Sequence, residues 1–146
     1  IVHHALTNNL IDEFDNILEI KSEIKFGSNT RFDFLVSNKK QKAFIEVKNV
    51  TLSRDKALAE FPDAVTTRGL KHINELLKAS KKNYKIFILY LIQRDDCKSF
   101  TVAKDIDPNY ATALKKAINN KLKILCYDCK FSSKGIKLNN KIKIKI

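Results

Sequence analysis

Asp33 and the triplet Glu46-Val47-Lys48 are the residues whose types and spacing could do chemistry in this chain. Each acid lies in a short apolar stretch that predicts a strand. Two adjacent antiparallel strands can bring such acids together at one end of a sheet, where carboxylate oxygens bind a hard divalent cation. Lys48 follows Glu46 by two residues and therefore points to the same face of its strand. This set suits metal-assisted phosphodiester cleavage, although a solvated charged face produces the same pattern.

The elements that must position these residues are predicted from apolar periodicity and turn residues. The predicted order is a helix at 8–14, an extended segment at 17–26, a turn at 27–29, and strands at 31–36 and 43–48. A loop at 49–60, a long helix from Pro62 to about Ala79, a buried strand at 84–92, a helix at 107–119 and a buried strand at 122–127 follow. Strand-helix-strand units pair their strands in parallel through right-handed crossovers. The predicted fold class is therefore α/β, with a mixed sheet flanked by helices.

The last thirteen residues differ from the rest, so the chain divides into a domain at 1–133 and a basic segment at 134–146. Lysines alternate with leucine and isoleucine in this segment. Such alternation permits an edge strand whose lysines oppose aggregation, and a disordered basic tail remains the alternative. No site is assigned to it.

Length and composition fit one domain, because 146 residues with 44% hydrophobic content can bury a substantial core. No apolar run approaches the roughly 20 residues that a membrane span needs. The first residues have no charged-then-apolar secretory pattern, so we expect a cytoplasmic protein. The chain contains no methionine, which predicts a fragment or a processed chain that lacks an N-terminal part.

The formal net charge is +12, from 24 lysines and 4 arginines against 16 acids. A strongly basic domain suggests a polyanionic partner, whereas AT-rich coding alone also enriches lysine, asparagine and isoleucine. Both explanations stay open. Cys126 and Cys129 form a CxxC motif, but no second pair or nearby histidine completes a zinc site, so buried thiols are expected there.

The predicted long helix carries polar residues suited to a phosphate. Arg68, Gly69 and His72 share a face, and Thr66 and Thr67 lie in the first turns. A planar guanidinium binds phosphate in bidentate fashion, and a glycine inside a helix permits close approach of another backbone or a ligand. Arg68 could equally pair with an acid, and His72 could be a core residue, a phosphate contact or a proton carrier.

Gln93 follows the buried strand at 84–92 and opens a polar cluster. Ligands of open α/β sheets gather at the carboxyl ends of strands, so this cluster is a candidate site. Ordinary loop chemistry is the alternative.

Several stretches together closely resemble the sugar fermentation stimulation protein family over roughly residues 8–130. They are Glu46-Val47-Lys48-Asn49-Val50-Thr51-Leu52, Phe61-Pro62-Asp63-Ala64-Val65-Thr66-Thr67-Arg68-Gly69 with Lys71-His72, Arg31-Phe32-Asp33-Phe34, Gln93-Arg94-Asp95-Asp96-Cys97 and Ile106-Asp107-Pro108. The resemblance implies a PD-(D/E)xK restriction-endonuclease-like core. It also implies that full-length members carry an OB-like barrel ahead of this domain. An acid in the first helix belongs to the pattern, and Asp12 or Glu13 could supply it. Asn49 replaces the usual serine.

The resemblance implies DNA as the partner and a nuclease-like site. In that site Asp33 and Glu46, with the Val47 carbonyl as a possible further ligand, would bind Mg²⁺ or Mn²⁺, and Lys48 would orient the attacking water. The phosphate would be bound by the polar residues of the long helix and the later strand: Thr66, Thr67, Arg68, His72 and Gln93. The expected function is a metal-dependent DNA nuclease. The alternative is a non-catalytic DNA-binding regulator of sugar catabolism, and a homodimer is possible.

Overall fold

The computed structural model describes residues 1–146 and contains three helices and ten strands. Their order is α1 (Val2–Thr7), β1 (Glu19–Phe26), β2 (Thr30–Ser37), β3 (Lys42–Val50), β4 (Leu52–Asp55), β5 (Leu58–Phe61), α2 (Thr67–Lys81), β6 (Lys85–Ile92), β7 (Ser99–Val102), α3 (Pro108–Ile118), β8 (Lys123–Ser132), β9 (Gly135–Lys141) and β10 (Lys143–Ile144). None of the three helices is long and apolar enough to cross a membrane.

The main sheet has six strands in the order β1-β2-β3-β6-β8-β9. The central pairs β3–β6 and β6–β8 are parallel, and the outer pairs are antiparallel. Strand β6 is buried at every position after Lys85, as its continuous apolar run predicts for a strand covered on both faces. The α/β class with a mixed sheet flanked by helices is thereby confirmed.

Two hydrophobic cores lie on the two faces of this sheet. Helices α2 and α3 cover the larger core, which includes Phe44 and Val50 of β3. Helix α1 and the segment after it cover the smaller core, which includes Ile45. Because side chains alternate along a strand, Glu46 and Lys48 lie on the α2 face, between two core residues.

A second sheet of four short strands, in the order β10-β7-β5-β4, was not expected. The prediction of a loop at 49–60 is wrong, because β4 and β5 form an antiparallel pair there. Each strand is four residues long, too short for alternation to show. Strand β7, about forty residues further along the chain, pairs in parallel with β5 and so extends this pair into the second sheet.

Two helix predictions also need correction. The first helix spans Val2–Thr7 rather than 8–14, because the chain turns at Asn8 and Asn9, and Asn9 adopts a left-handed φ of 53°. The apolar residues that follow α1 lie in a turn and pack in the smaller core. The long helix begins at Thr67 rather than Pro62, because Phe61 still pairs with Val102 in the second sheet.

The basic C-terminal segment forms strands. Strand β9 pairs antiparallel with β8 at the edge of the main sheet, and β10 pairs in parallel with β7 in the second sheet. Its lysines Lys137, Lys141, Lys143 and Lys145 are exposed, while Ile142 is buried in the larger core. The segment therefore connects the two sheets.

Candidate functional site

A fork between β2 and β3 brings the two predicted acids together. The pairing of these strands ends at Phe34 and Ile45, after which the strands separate. The backbone N–H of Val47, which has lost its strand partner, donates to Asp33 Oδ2 at 2.7 Å. The carbonyl of a strand residue points to the same side as its N–H, so the Val47 carbonyl also faces the gap. The fork thus places the Asp33 carboxylate next to Val47, the residue that follows Glu46.

Glu46 is the most enclosed member of the site, with 3% of its surface exposed. Its Oε1 accepts a hydrogen bond from Lys48 Nζ at 2.9 Å and is also in contact with His72 Nδ1. Its Oε2 is buried and has no hydrogen-bond partner, the one such side-chain atom in the chain. A buried carboxylate oxygen without a partner is costly, and this atom has room in its bonding for a ligand.

The pKa values of Asp33 and Glu46 are shifted in opposite directions. Burial raises the pKa of Asp33, and the negative charge of Glu46 raises it further, against the opposing hydrogen bond from Val47. Burial also acts to raise the pKa of Glu46, but the His72 hydrogen bond and the charge of Lys48 outweigh it, and the pKa is lowered. Glu46 is therefore the firmly ionised member of the pair, and Asp33 is the member that protonates more easily.

Helix α2 places His72 against Glu46. Thr66 is its N-cap, in an extended conformation, and its Oγ1 accepts a hydrogen bond from the N–H of Gly69 at 3.0 Å. A Cβ on Gly69 would lie 2.9 Å from the Thr66 side chain and 3.1 Å from the Tyr110 ring. The glycine therefore permits close packing of α2 on α3, rather than the approach of a ligand.

Asp107 holds the starts of both helices. Its Oδ2 accepts a hydrogen bond from the Thr66 N–H at 2.9 Å, and its Oδ1 accepts one from the Tyr110 N–H at 3.0 Å as the N-cap of α3. Tyr110 in turn shares a buried hydroxyl–hydroxyl hydrogen bond of 2.5 Å with Tyr90 of β6. This chain of contacts sets the position of α2, and so of His72, over the sheet.

An open groove of about 650 Å³ adjoins His72. It runs between α2 and the turn that joins β1 to β2, and its lining contains no hydrophobic residue and no acid. The lining residues are Lys25, Ser28, Asn29, Thr30, Arg31, Thr67, Arg68, Lys71 and His72. Thr67 and Arg68 thus lie in the same groove as His72, which contacts Glu46. Lys25, Arg31 and Lys71 were missed, since exposed cations in a lysine-rich chain carry no distinctive pattern.

Two of the predicted substrate-binding residues, Thr66 and Gln93, do not line this groove. The Thr66 hydroxyl is engaged in capping α2. Gln93 donates its side-chain N–H to Asn49 Oδ1 at 3.1 Å. Asn49 follows Lys48 on β3 and therefore faces the other side of the sheet, so the structure does not bring Gln93 to the Glu46 face.

The first-helix acid is also placed elsewhere. Helix α1 contains no acid, and Asp12 and Glu13 lie in the turn after it. Glu13 binds Lys141 and accepts a hydrogen bond from Tyr127, a residue of the smaller core on the opposite face from Glu46. A different acid acts on Asp33: Glu23 lies on β1 between the residues that pair with Phe32 and Phe34, and its charge raises the pKa of Asp33. Its left-handed φ of 54° has no signal in the sequence.

The donor set suits a hard divalent cation. Asp33 and Glu46 offer carboxylate oxygens, one of them without a partner, and the Val47 carbonyl adds a neutral oxygen. No group of three or more His, Cys, Asp and Glu side chains in residues 1–146 has metal-binding spacing. A cation at the fork would therefore need the main chain and water for its remaining ligands. The two cysteines of the CxxC motif and Cys97 are buried free thiols.

Fold and site together define an α/β protein with two acids and a lysine at a forked strand end. The family model described as "Sugar fermentation stimulation protein RE domain" matches residues 1–135. This chain belongs to the sugar fermentation stimulation protein family, which confirms the resemblance found in the sequence.

Curated relatives named "Sugar fermentation stimulation protein homolog" agree with this assignment. The protein of Pelagibacter ubique is 51% identical over 99% of this chain and 62% of its own length. That of Roseobacter denitrificans is 40% identical over 100% of this chain and 63% of its own length. A solved structure of Pyrococcus furiosus SfsA in complex with Ca²⁺ superposes with a TM-score of 0.88 at 26% identity, covering 97% of this chain and 61% of that one. The chain thus spans about three-fifths of the length of these relatives.

Proposed function

We propose that this domain is a metal-dependent nucleic-acid phosphodiester hydrolase, a DNA nuclease with a PD-(D/E)xK restriction-endonuclease-like core. The single observation that carries the proposal is the buried, partnerless Oε2 of Glu46 beside Asp33 and Lys48. A purely structural ion pair would use both oxygens, because leaving one buried without a partner costs free energy. A cation bound at that oxygen removes this cost.

Asp33, Glu46 and the Val47 carbonyl would hold Mg²⁺ or Mn²⁺ at the fork. When bound, such an ion lowers the pKa of a water molecule and neutralises charge on the phosphoryl oxygens. The solved Pyrococcus furiosus relative is described in complex with Ca²⁺, another divalent cation that prefers oxygen ligands. Its high structural similarity supports, for this chain, a site of the same ligand class.

Lys48 supplies the positive charge next to the reacting phosphate. Its Nζ is held 2.9 Å from Glu46 Oε1 and 3.1 Å from His72 Nδ1, so the ammonium group is fixed before substrate arrives. From this position it orients the attacking water and stabilises the negative charge that develops on the phosphoryl group. Preorganised charge of this kind acts strongly because burial excludes water.

Arg68 and Thr67 bind the phosphate on the groove side, where they lie beside His72. Arg68 has no acidic partner within ion-pair distance, so its guanidinium is available for bidentate contact with phosphate. Specificity for a base is not part of the proposal, since the groove offers charge and hydroxyl groups only.

The test is nicking of supercoiled plasmid DNA with Mg²⁺ or Mn²⁺, with EDTA as the metal-free control. Glu46→Gln keeps the side-chain volume and one acceptor oxygen but removes the charge, and it should lower the nicking rate at least about 10³-fold. Glu46→Ala should do the same. Glu13→Gln is the matched control, because Glu13 is a partly buried glutamate on the opposite face, and it should nick at the wild-type rate.

Metal-dependent nicking that is lost in both Glu46 variants and kept in Glu13→Gln would support the hydrolase. Salt-sensitive DNA binding without nicking, unchanged by Glu46→Gln, would instead support the DNA-binding regulator. In that case the remaining two-fifths of the relatives' length, expected to include an OB-like barrel, would be the next part to add. Light scattering of the same samples measures whether the protein is a monomer or a homodimer.

A further inference from the structure

The groove beside His72 concentrates cations that have no acidic partner within the protein. Lys25, Arg31, Arg68 and Lys71 line it, and none of the four has an acid within ion-pair distance. The chain has four arginines. Arg54 and Arg94, which lie outside the groove, are both paired with acids. The two unpaired arginines are therefore the two that line the groove.

We propose that this groove is a binding track for the phosphate backbone of double-stranded DNA, with Lys25 and Arg31 on one wall and Arg68 on the other. The walls are held at a set separation, because Lys71 Nζ donates to the Asn29 carbonyl at 2.7 Å across the groove. Arg31 and Lys25 are direct neighbours across the β1–β2 pair, so their like charges repel until an anion lies between them. The inference rests on the proposed function and adds to it the form of the substrate and its path.

The track continues along α2 away from the acids. A second groove shares Ser28, Asn29, Thr30 and Lys71 with the first and extends to Lys78, Lys81 and Lys82. Its single acid, Glu75, is paired with Lys78. From Arg68 to Lys81 the helix rises about 20 Å at 1.5 Å per residue, which matches about six base pairs at 3.4 Å each. The duplex therefore extends from the fork mainly toward the C-terminal end of α2.

The lining favours a duplex over a single strand. Proteins that bind single strands stack the bases on aromatic side chains, and the first groove contains no hydrophobic residue. In the second groove the one aromatic ring, Phe26, lies under Lys82 Nζ at 5.4 Å from its centroid. The track offers no exposed aromatic surface on which bases could stack, whereas cations that can contact phosphates line its whole length.

The experiment measures binding of a short fluorescent DNA duplex by anisotropy in EDTA, so that the result does not depend on cleavage. The test variant is Lys25→Gln/Arg31→Gln. The control is Lys130→Gln/Lys137→Gln, which removes an equivalent cross-strand cation pair from the β8–β9 hairpin at the opposite edge of the sheet. All four residues are exposed, so neither variant disturbs the core.

The test variant should lower the slope of log affinity against log salt by about two, at about 0.9 for each lost phosphate contact. Over a fourfold increase in salt, the wild type then loses about tenfold more affinity than the variant. The control should keep the wild-type slope, and single-stranded DNA of the same length should bind more weakly than the duplex. An unchanged slope in the test variant, an equal change in the control, or tighter binding of the single strand would overturn the proposal.

The two proposals fail separately. If no nicking occurs and the salt slope is reduced only in Lys25→Gln/Arg31→Gln, the hydrolase proposal is refuted and the binding-track proposal is supported. If the protein nicks DNA with metal but the salt slope is the same in Lys25→Gln/Arg31→Gln as in the wild type, the hydrolase proposal is supported and the binding-track proposal is refuted.

Discussion

Lys48 and His72 meet at one oxygen of Glu46, and Lys48 Nζ lies 3.1 Å from His72 Nδ1. Two basic groups at this distance hold a single carboxylate oxygen in place and leave the other oxygen, Oε2, without a partner. In this arrangement Oε1 is held by the protein's own basic groups, and Oε2 is left free to accept a ligand. The arrangement also keeps the carboxylate ionised despite its burial.

His72→Leu should raise the pKa of Glu46 in the metal-free protein. Burial acts to raise this pKa, and the His72 hydrogen bond is the first of the interactions that lower it, so removing the imidazole shifts the balance upward. A depressed carboxyl pKa stabilises the fold above the unfolded-state pKa and loses that contribution as pH falls through the folded-state value. In the variant this loss should begin at a higher pH.

Titration of the Glu46 side-chain carboxyl carbon by NMR measures the shift directly. His4→Leu is the control, because His4 is exposed on α1 and should leave the titration unchanged. A Glu46 pKa equal in wild type and His72→Leu would show that the contact has no electrostatic effect.

Asp33→Asn should abolish nicking and increase the free energy of unfolding at pH 7. Burial and the charge of Glu46 raise the pKa of Asp33, so Asp33 favours the fold when protonated and loses that contribution as pH rises through its folded-state pKa. Asparagine stays neutral and its oxygen can still accept the Val47 N–H. The free energy of unfolding of Asp33→Asn should therefore equal that of the wild type below about pH 4 and exceed it increasingly toward pH 7.

Urea denaturation at a series of pH values tests this sign. Asp105→Asn is the opposing control, because its ion pair with Arg54 lowers the pKa of Asp105 to about 2. That variant should lose stability relative to the wild type as pH rises from acid to neutral. Parallel trends in the two variants would contradict the assignment of opposite shifts.

Gly69→Ala should destabilise the protein by about 1–2 kcal/mol, although alanine favours helices. The new Cβ would press on the Thr66 side chain at 2.9 Å and on the Tyr110 ring, so the cap must shift or the helices must separate. Asn74→Ala, at an exposed position of the same helix, should be neutral or slightly stabilising. Urea unfolding midpoints of the two variants decide the matter, and equal midpoints would show that α2 has room to move.

Asp107→Ala should cost about 2–3 kcal/mol, because it removes the cap of α3 and leaves the Thr66 N–H without an acceptor. Asp107→Asn keeps one acceptor oxygen and should cost about half as much. Asp63→Ala, an exposed acid near the start of α2, should change stability by less than about 0.5 kcal/mol. If Asp107→Ala unfolds at the wild-type urea concentration, Asp107 does not hold the two helices.

Local patterns were sufficient for the strands that carry the acids. The alternation around Asp33 and Glu46, and the apolar run of β6, predicted strands that the structure contains at nearly those bounds. Period-two patterns and buried runs are visible in a single stretch of chain, because they depend on which face of one strand is covered. The predicted helix at 107–119 is present as α3, Pro108–Ile118, with Asp107 as its N-cap.

Features that depend on distant partners were not predictable. Strands β5 and β7 are short and pair with each other through residues about forty positions apart, and β4 pairs with β5 alone. Thr66 and Gln93 have the residue types of phosphate ligands, but the cap of α2 and the contact with Asn49 direct them elsewhere. The roles of the remaining site residues stay predictions for the experiments above.

By itself the sequence determined that Glu46 and Lys48 share one strand face and that Asp33 lies on a neighbouring strand, since both follow from alternation and turn spacing. Only the tertiary structure decided that β2 and β3 separate next to the two acids and that His72 and Lys48 both contact Oε1 of Glu46. It also decided that the two unpaired arginines line one groove. Strand periodicity is a property of a few consecutive residues. Burial, ion pairing and the position of a helix over a sheet are properties of the packed chain, set by contacts between residues that are distant in sequence.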